Sequence, residues 1–221
     1  MNSLLEEEKR LMGIFLSAHP TKLFNSDIKN FGMTFDSLKG LAQENSAAGR
    51  KNKKSFIIVS YFAISNQRRT KKGSIITFVR LEQGFDYIEG VIFEKDYDNM
   101  TLPPHGSLVY ASGEVENSFN NTPRFTIKTI VPVEQVRMEK VRHIDIKVDH
   151  KIGQDFSNIN CLKNIFLQNK GSTTVRFILI SDNSKTAISL SDAYRVSLTN
   201  DFIERVQSQV FGYTDMVYRL N

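Results

Sequence analysis

This sequence has little cysteine, no long apolar runs and one long stretch without acidic residues. The first two absences exclude a disulfide and a membrane span. Cys161 is the only cysteine among 221 residues, so an internal disulfide is impossible and a zinc site needs mostly non-thiolate ligands. No apolar run approaches the length of a membrane span. The acidic run Glu6, Glu7, Glu8 is unlike a secretory signal, so we expect a cytoplasmic protein without a membrane partner.

The third scarcity is a stretch without acid, because no Asp or Glu lies between Glu44 and Glu82. This interval holds nine basic residues, whereas the net charge of the whole chain is only +5, so the basicity is local. Basic side chains neutralise phosphates, and aromatic rings stack on unpaired bases. Tyr61, Phe62 and Phe78 lie among the basic residues, so the stretch predicts a nucleic-acid partner.

The periodicity of apolar residues predicts helices first and strands afterwards. Helices are predicted over 4–16 and 22–31, and a polar linker over 44–54. A turn is predicted over 66–73, and the segment 96–104 interrupts the strands and accommodates a short helix. Five strands are predicted, over 56–64, 74–81, 85–93, 107–115 and 124–133. Five short strands with an interruption after the third match the plan of an OB-fold, a small Greek-key barrel.

The remaining residues predict a smaller mixed segment. Helices are predicted over 156–168 and 201–210, the second capped by Asn200. Strands are predicted over 144–148, 175–180, 187–190, 194–198 and 216–220. The predicted fold class is therefore β-rich α+β, with an OB-fold barrel preceded by short helices and followed by a small α/β domain. The predicted domains are a helical connector, an OB-fold nucleic-acid-binding domain and an α/β partner-binding domain, over 1–50, 51–137 and 138–221.

The binding face of an OB-fold consists of strands two and three with the loops that join strands one to two and four to five. Strand two alternates, so Ile76, Phe78 and Arg80 share one face. Phe78 is interpreted either as a core residue or as a stacking platform, and one of Tyr61 and Phe62 faces the core. The predicted nucleic-acid-binding residues are Lys53, Lys54, Tyr61, Arg68, Arg69, Lys71, Lys72, Phe78, Arg80 and Phe119.

Side chains suited to catalysis or metal binding are sparse. Asp96 and Asp98 lack the further carboxylates that a two-metal site needs. There is no phosphate-binding glycine loop and no nucleophile elbow. The histidines are scattered without metal-ligand spacing, at His19, His105, His143 and His150. We therefore predict a non-catalytic chain with no metal, cofactor or small-molecule substrate.

Four motifs resemble the alpha subunit family of bacterial DNA polymerase III. In the family's order and spacing they are EEEKRLMGIFLSAHP at 6–20, TKKGSIITFVRLE at 70–82, VIFEKDY at 91–97 and YRVSLTNDFI at 194–203. They resemble the segment before the family's OB-fold, its OB signature, the residues after strand three and an element of its C-terminal region.

The resemblance implies that the chain corresponds to the C-terminal part of such a subunit, without the catalytic domains. The OB domain is then expected to bind single-stranded DNA. The C-terminal segment is expected to dock the clamp-loader tau subunit, within a holoenzyme of further subunits.

Two other functions also fit the residues. The anticodon-binding module of a class II aminoacyl-tRNA synthetase likewise carries a basic glycine turn before a phenylalanine-rich strand, and it binds RNA. A protein-interaction scaffold, with its lysines solvated, is the other alternative. Relative affinity for single-stranded DNA and an anticodon stem-loop separates the DNA-binding function from the RNA-binding one. Absence of nucleic-acid binding at low salt favours the scaffold.

Overall fold

The computed structural model divides the chain into two compact units, residues 1–133 and 134–221. It describes residues 24–47, 55–71, 73–97, 100–117, 123–149, 156–181, 184–210 and 213–220. The helix predicted over 4–16 lies outside the described residues. Within the described residues, no helix is long and apolar enough to cross a membrane.

Five strands of the first unit close into a barrel. They are β1 (Phe56–Arg69), β2 (Ile75–Gln83), β3 (Asp86–Phe93), β4 (Leu108–Asn117) and β5 (Pro123–Pro132). The order is β1-β2-β3-β5-β4, and β4 pairs back with β1. The β3–β5 pair is parallel and the other pairs are antiparallel. This closed five-stranded barrel is consistent with an OB-fold, as the spacing of the strands predicted.

The alternation of β2 decides which side chains fill the barrel. Thr77, Val79 and Leu81 are buried, whereas Phe78 is half-buried and Arg80 is exposed on the outside. Their inward neighbours come from every strand of the barrel, among them Phe62, Ile88, Ala111 and Phe125. Successive residues of a strand point to opposite sides, so the apolar half of each strand forms the core and the other half forms the outer face.

Strand β1 is longer than predicted. The segment 66–73 was expected to be a turn, but β1 pairs with β2 as far as Arg69, which lies opposite Ile75. The turn is shorter, with the Thr70 amide donating to the Ser74 carbonyl and Gly73 at a φ of 88°. The polar residues predicted a loop, but strand pairing here extends past the barrel core, where polar side chains remain in water. The short helix α3 (Glu94–Tyr97) lies slightly earlier than expected.

Two helices precede the barrel. Helix α1 (Asn25–Phe31) falls within the helix predicted over 22–31, of which residues 22 and 23 lie outside the described residues. Helix α2 (Phe35–Ala47) covers residues predicted in part to be a linker. Helix α2 forms because Phe35, Leu38 and Ala42 pack into the core cluster of the barrel.

The side chain of Gln83 ties this segment to the barrel. Its amide group donates to the carbonyls of Met33 at 3.1 Å and Val59 at 2.7 Å. Its oxygen accepts from the Phe35 amide at 3.0 Å. The end of β2 therefore contacts both β1 and the start of α2 through polar bonds.

The second unit is built on a four-stranded sheet in the order β8-β7-β6-β9. Its strands are β6 (Val141–Asp149), β7 (Lys170–Ile180), β8 (Lys185–Ser189) and β9 (Tyr213–Leu220). Its helices are α4 (Val133–Lys140), which begins at the unit boundary, α5 (Phe156–Gln168) and α6 (Asn200–Gln209). The β6–β7 pair is parallel, and β9 and β8 pair antiparallel at the two edges. The ring of Phe166 on α5 lies 6.0 Å from those of Phe177 on β7 and Phe202 on α6, so both helices share an apolar core with the sheet.

Two expectations for the second unit are wrong. Residues 194–198 do not form a strand, because Asp192–Tyr194 is a 3-10 turn and Val196 makes only isolated bridges to β7. Thr199, rather than Asn200, caps α6, since its hydroxyl accepts from the Phe202 amide at 3.1 Å. The Asn200 side chain instead accepts from the buried Arg137 at 2.7 Å, so a tertiary contact takes up the residue predicted to be the cap.

Candidate nucleic-acid interface

Phe78 lies on the outer face of the barrel between two arginines. It is opposite Asn66 on β1 and Val91 on β3, midway along β2. The guanidinium carbons of Arg68 and Arg124 lie 5.8 Å and 6.0 Å from the centre of its ring. Cations at this distance from an aromatic face are attracted by the ring. Phe78 is absent from the core cluster of the barrel, so the structure favours the surface interpretation of this residue.

Arg80 forms a third arginine–aromatic contact on this face. Its guanidinium carbon lies 4.1 Å from the ring centre of Tyr87, and the Tyr87 side chain is 54% exposed. Tyr87 pairs with Glu82 at the start of β3, next to the tight turn that carries the exposed Phe85. A ring held by a guanidinium and open to solvent can stack on an unpaired base.

We define the outer aromatic face as Arg68, Phe78, Arg80, Tyr87, Phe93 and Arg124. Phe93 lies at the far end of β3, directly opposite Ile76, and is 36% exposed. Strands two and three of an OB-fold carry its ligand face, and five of these six residues lie on β1, β2 or β3. Sequence reasoning missed Tyr87, Phe93 and Arg124. The alternation of β3 could have identified the two aromatics.

Two carboxylates lie among the arginines of the outer aromatic face. Glu82 accepts from Arg80 Nε at 2.8 Å, and Glu89 accepts from Arg124 Nη2 at 3.0 Å. The Glu82 side chain is 12% exposed and that of Glu89 is 46% exposed. The charge of this face is therefore lower than the acid-free stretch suggested, because acidic residues beyond that stretch fold back onto its arginines.

An open groove lies at the Arg68 end of the face. It has a volume of about 710 Å³ and is lined by the β1–β2 turn, the ends of β2 and β3, and helix α3. Lys71 and Lys95 supply its positive charge, Glu94 supplies a carboxylate, and Phe93 and Ile76 supply apolar surface. The groove thus places lysine side chains next to an aromatic ring of the outer aromatic face.

The structure assembles only part of the predicted site. Arg68, Phe78 and Arg80 lie on one face, and Lys71 borders it. Arg69 pairs with Ile75, one position from the Arg68–Ile76 pair, so it points to the opposite side. Four residues of the prediction lie outside the described residues: Lys53, Lys54, Lys72 and Phe119.

Tyr61 lies beside the outer aromatic face. It is opposite Glu82 on β2, and Tyr87 is opposite the same residue from β3, so β2 separates the two tyrosines. The ring of Tyr61 is 6.5 Å from that of Phe24, the residue that precedes α1. Phe62 is buried in the barrel, as one of this pair was expected to be.

A second charged cluster lies on one face of the four-stranded sheet. Asp145 on β6 is 2% exposed and accepts from Arg176 on β7, at 2.8 and 2.9 Å, and from Arg219 on β9, at 2.9 and 3.0 Å. His143 Nε2 lies 2.8 Å from the same carboxylate, and its Nδ1 lies 3.0 Å from the Thr174 hydroxyl.

The surroundings of Asp145 lower its pKa. Burial raises the pKa of this carboxyl, but the hydrogen bonds from Arg176, His143 and Arg219 outweigh burial and lower it from 3.8 to about 2. Sequence reasoning treated His143 as isolated. The spacing of His143 and Asp145, two residues apart on one strand, was the signal that could have joined them. No group of three or more His, Cys, Asp or Glu side chains that could hold a metal occurs within the described ranges.

An apolar groove of about 350 Å³ lies on the other side of the same sheet. Helix α5 contributes Ile159, Leu162 and Phe166, and β7 and β8 contribute Phe177 and Ile188. Lys163 is the one charged residue among the described side chains that line it. Ile159 and Ile188 are each 44% exposed, so the groove offers apolar surface to a partner.

The chain is similar to DNA polymerase III alpha subunits, as its four motifs predicted. It is 23% identical to that of Pseudomonas aeruginosa over 211 residues, which are 94% of this chain and 17% of the relative. It is 23% identical to that of Bacillus subtilis over 218 residues, which are 98% of this chain and 18% of the relative. The chain thus spans less than a fifth of the length of these relatives, and no family model matches it.

Solved structures similar to part of the chain include single-stranded DNA-binding proteins. The yeast mitochondrial protein Rim1 has a TM-score of 0.32 and 14% identity, and the match covers 37% of this chain and 95% of Rim1. The protein PriB of Ralstonia solanacearum has a TM-score of 0.29 and 15% identity, over 35% of this chain and 95% of PriB. Scores this low carry no argument, so the OB-fold assignment rests on the strand order of the barrel.

Proposed function

We propose that this chain is a non-catalytic part of a DNA polymerase III alpha subunit whose barrel binds single-stranded DNA without sequence preference. The observation that carries the proposal is the outer aromatic face, where arginines contact the rings of Phe78 and Tyr87. Similarity to polymerase alpha subunits supports the DNA context.

The chemistry of the face favours a single strand over a duplex. Base faces are exposed only when a strand is unpaired, and each base stacked on an aromatic ring contributes about 1–3 kcal/mol. Arg68, Arg80 and the lysines of the groove are placed to bind the backbone phosphates. Phosphate binding does not depend on base identity, so affinity is expected to vary little with sequence.

The stacking part of the proposal is tested with Phe78→Ala and Tyr87→Ala. Each is expected to weaken binding of a fluorescein-labelled oligo-dT by roughly 5- to 150-fold, which corresponds to about 1–3 kcal/mol. Tyr213→Ala, on β9 of the second unit, is the matched control and should leave the affinity unchanged. Unchanged binding by both barrel variants, with their folding verified by circular dichroism, contradicts the assignment of this face.

The binding of phosphates is tested by the salt dependence of the same titration. Neutralisation of four or five phosphates predicts a log–log slope of about −3 to −3.5 for a single strand. Replacing Arg68, Arg69, Lys71 and Lys72 together with Ser should reduce the magnitude of the slope by about 0.7 for each phosphate that is no longer neutralised. The charge-matched control replaces four exposed lysines of the second unit, Lys140, Lys163, Lys170 and Lys185, and should retain the wild-type slope.

The same titrations address the two alternative functions. Tighter binding to an anticodon stem-loop than to oligo-dT would favour the RNA-binding module. Absence of binding to either probe at low salt would favour the scaffold and overturn the proposed function.

For the second unit we propose docking of a protein partner, the clamp-loader tau subunit, in the apolar groove between α5 and β8. Support comes from the apolar lining of this groove and from the exposure of Ile159 and Ile188. Charged residues here should prevent burial against a partner, so Ile159→Glu and Ile188→Glu are expected to abolish tau binding in surface plasmon resonance. Ile64→Glu, on β1 and 43% exposed, is the matched control. Wild-type affinity in both groove variants contradicts this docking site.

A further inference from the structure

Glu89 lies between two arginines in the middle of the outer aromatic face. It is directly opposite Arg80 on β2 and directly opposite Arg124 on β5. Its carboxylate accepts from Arg124 Nη2 at 3.0 Å and from Arg124 Nε at 3.3 Å. We infer that in the free protein the Glu89 carboxylate binds Arg124 in the place that a phosphate group would take, and that a bound strand must displace this carboxylate. The inference rests on the proposed function, because it concerns the affinity of the same face.

The position of Arg124 makes this competition direct. Its guanidinium lies 6.0 Å from the ring centre of Phe78, so the residue is placed to contact the backbone of a strand whose base stacks on that ring. While Glu89 holds its Nε and Nη2, the same donors are withheld from a phosphate oxygen. In addition, the charge of Glu89 repels a phosphate that approaches this part of the face.

The Glu89–Arg124 pair is suited to exchange because both partners are accessible. The two side chains are 46% and 41% exposed, and ion pairs this exposed contribute little to stability. The Arg80–Glu82 pair differs, since the Glu82 side chain is only 12% exposed and takes part in further interactions. Glu89 is therefore the carboxylate that a strand can displace at low cost, whereas Glu82 is part of the packed edge of the barrel.

The expected effect of Glu89→Gln follows from the number of phosphates that the face neutralises. In the wild type the displaced carboxylate stays beside Arg124 and cancels its charge, whereas in Glu89→Gln the guanidinium neutralises one more phosphate in full, which makes the log–log salt slope for a single strand more negative by about 0.7. If Glu89→Gln and the wild type bind equally at about 1 M salt, this difference in slope makes Glu89→Gln bind about fivefold more tightly than the wild type at about 0.1 M salt. The acidic residue thus keeps binding weak at physiological salt, which suits a surface over which a strand must move.

The experiment measures oligo-dT binding by fluorescence anisotropy from 0.05 to 0.5 M salt, a range chosen because the slope is linear there. Glu89→Gln is expected to bind about fivefold more tightly at about 0.1 M salt and to show the steeper slope. Glu139→Gln, an exposed acid of α4 that is hydrogen-bonded to Gln135, controls for net charge and should change neither quantity. Adding Arg124→Gln to Glu89→Gln should abolish the gain, whereas Arg124→Gln alone should weaken binding, because it leaves the charge of Glu89 on the face without a partner.

The outcomes separate this inference from the proposed function. If the wild type binds and Phe78→Ala weakens binding, but Glu89→Gln leaves affinity and slope unchanged, the inference is overturned and the proposed function stands. A gain equal to that of Glu139→Gln would also overturn it, because net charge alone would explain the change. If neither the wild type nor Glu89→Gln binds the oligonucleotide at the lowest salt, the proposed function itself fails.

Discussion

Replacement of Asp145 by Asn should destabilise the second unit in a way that depends on pH. The carboxylate joins the three adjacent strands β7, β6 and β9, because it accepts from Arg176 and Arg219 across the sheet and lies beside His143. Asn keeps the shape of the side chain but removes the charge. The substitution therefore isolates the ionic contribution of Asp145 from its packing.

The magnitude follows from the pKa of Asp145, which falls from 3.8 to about 2 on folding. Because the folded-state pKa is the lower one, the ionised carboxylate stabilises the fold above pH 3.8, and this contribution is lost as pH falls through about 2. One pKa unit corresponds to about 1.36 kcal/mol, so the contribution at neutral pH is about 2 kcal/mol. At roughly pH 3, between the two pKa values, about half of this contribution to the free energy of unfolding remains.

The assay is urea unfolding of the full chain followed by circular dichroism at pH 6 and pH 3. Hydrogen exchange of peptides from β6 and β9 assigns the transition to the second unit. The wild type should exceed Asp145→Asn by about 2 kcal/mol at pH 6 and by about 1 kcal/mol at pH 3. Asp192→Asn, whose carboxylate is 78% exposed, is the control and should cost less than about 0.5 kcal/mol. An equal gap between wild type and Asp145→Asn at both pH values refutes the reasoning.

Three further substitutions test the packing of the two units by urea unfolding. Gly113→Ala should lower the free energy of unfolding by about 1–3 kcal/mol, because an added Cβ would lie 2.1 Å from the Thr126 carbonyl oxygen. If this variant is as stable as the wild type, β4 and β5 move apart at that point without cost. Thr199→Ala should cost about 1 kcal/mol through loss of the cap to the Phe202 amide, and Thr199→Ser should retain most of it. Phe62→Ala should cost about 3–5 kcal/mol, and a loss below about 1 kcal/mol would contradict its place in the core.

The strands of the barrel were predictable because each carries a local pattern. Alternation in β2 correctly separated Val79 from Phe78 and Arg80, since period-two burial depends only on neighbouring residues. Helix α2 also carries a pattern, with Phe35, Leu38 and Ala42 at helical spacing, but its last residues, 44–47, belong to the polar run that predicted a linker. Tertiary burial of three side chains outweighs this weak propensity.

The composition of the outer aromatic face was not predictable in full, because it depends on strand order. Arg124 reaches Phe78 only because β5 pairs with β3, and no local signal places a residue next to another that lies 46 positions earlier in the chain. The cap of α6 shows the same limit on a smaller scale. The sequence near the helix predicted Asn200 as the cap, but the Asn200 side chain accepts a hydrogen bond from Arg137, and Thr199 caps the helix.

The acid-free stretch is therefore an incomplete measure of the charge that a ligand meets. Its arginines divide between two sides of the barrel, because Arg68 and Arg69 are consecutive residues of a strand. Acidic residues enter from outside the stretch, with Glu82 just beyond its end and Glu89 on the next strand. The field at the face is set by which charges the pairing of β2, β3 and β5 brings together, so affinity for a strand should respond more to Glu89 than to a lysine elsewhere on the surface.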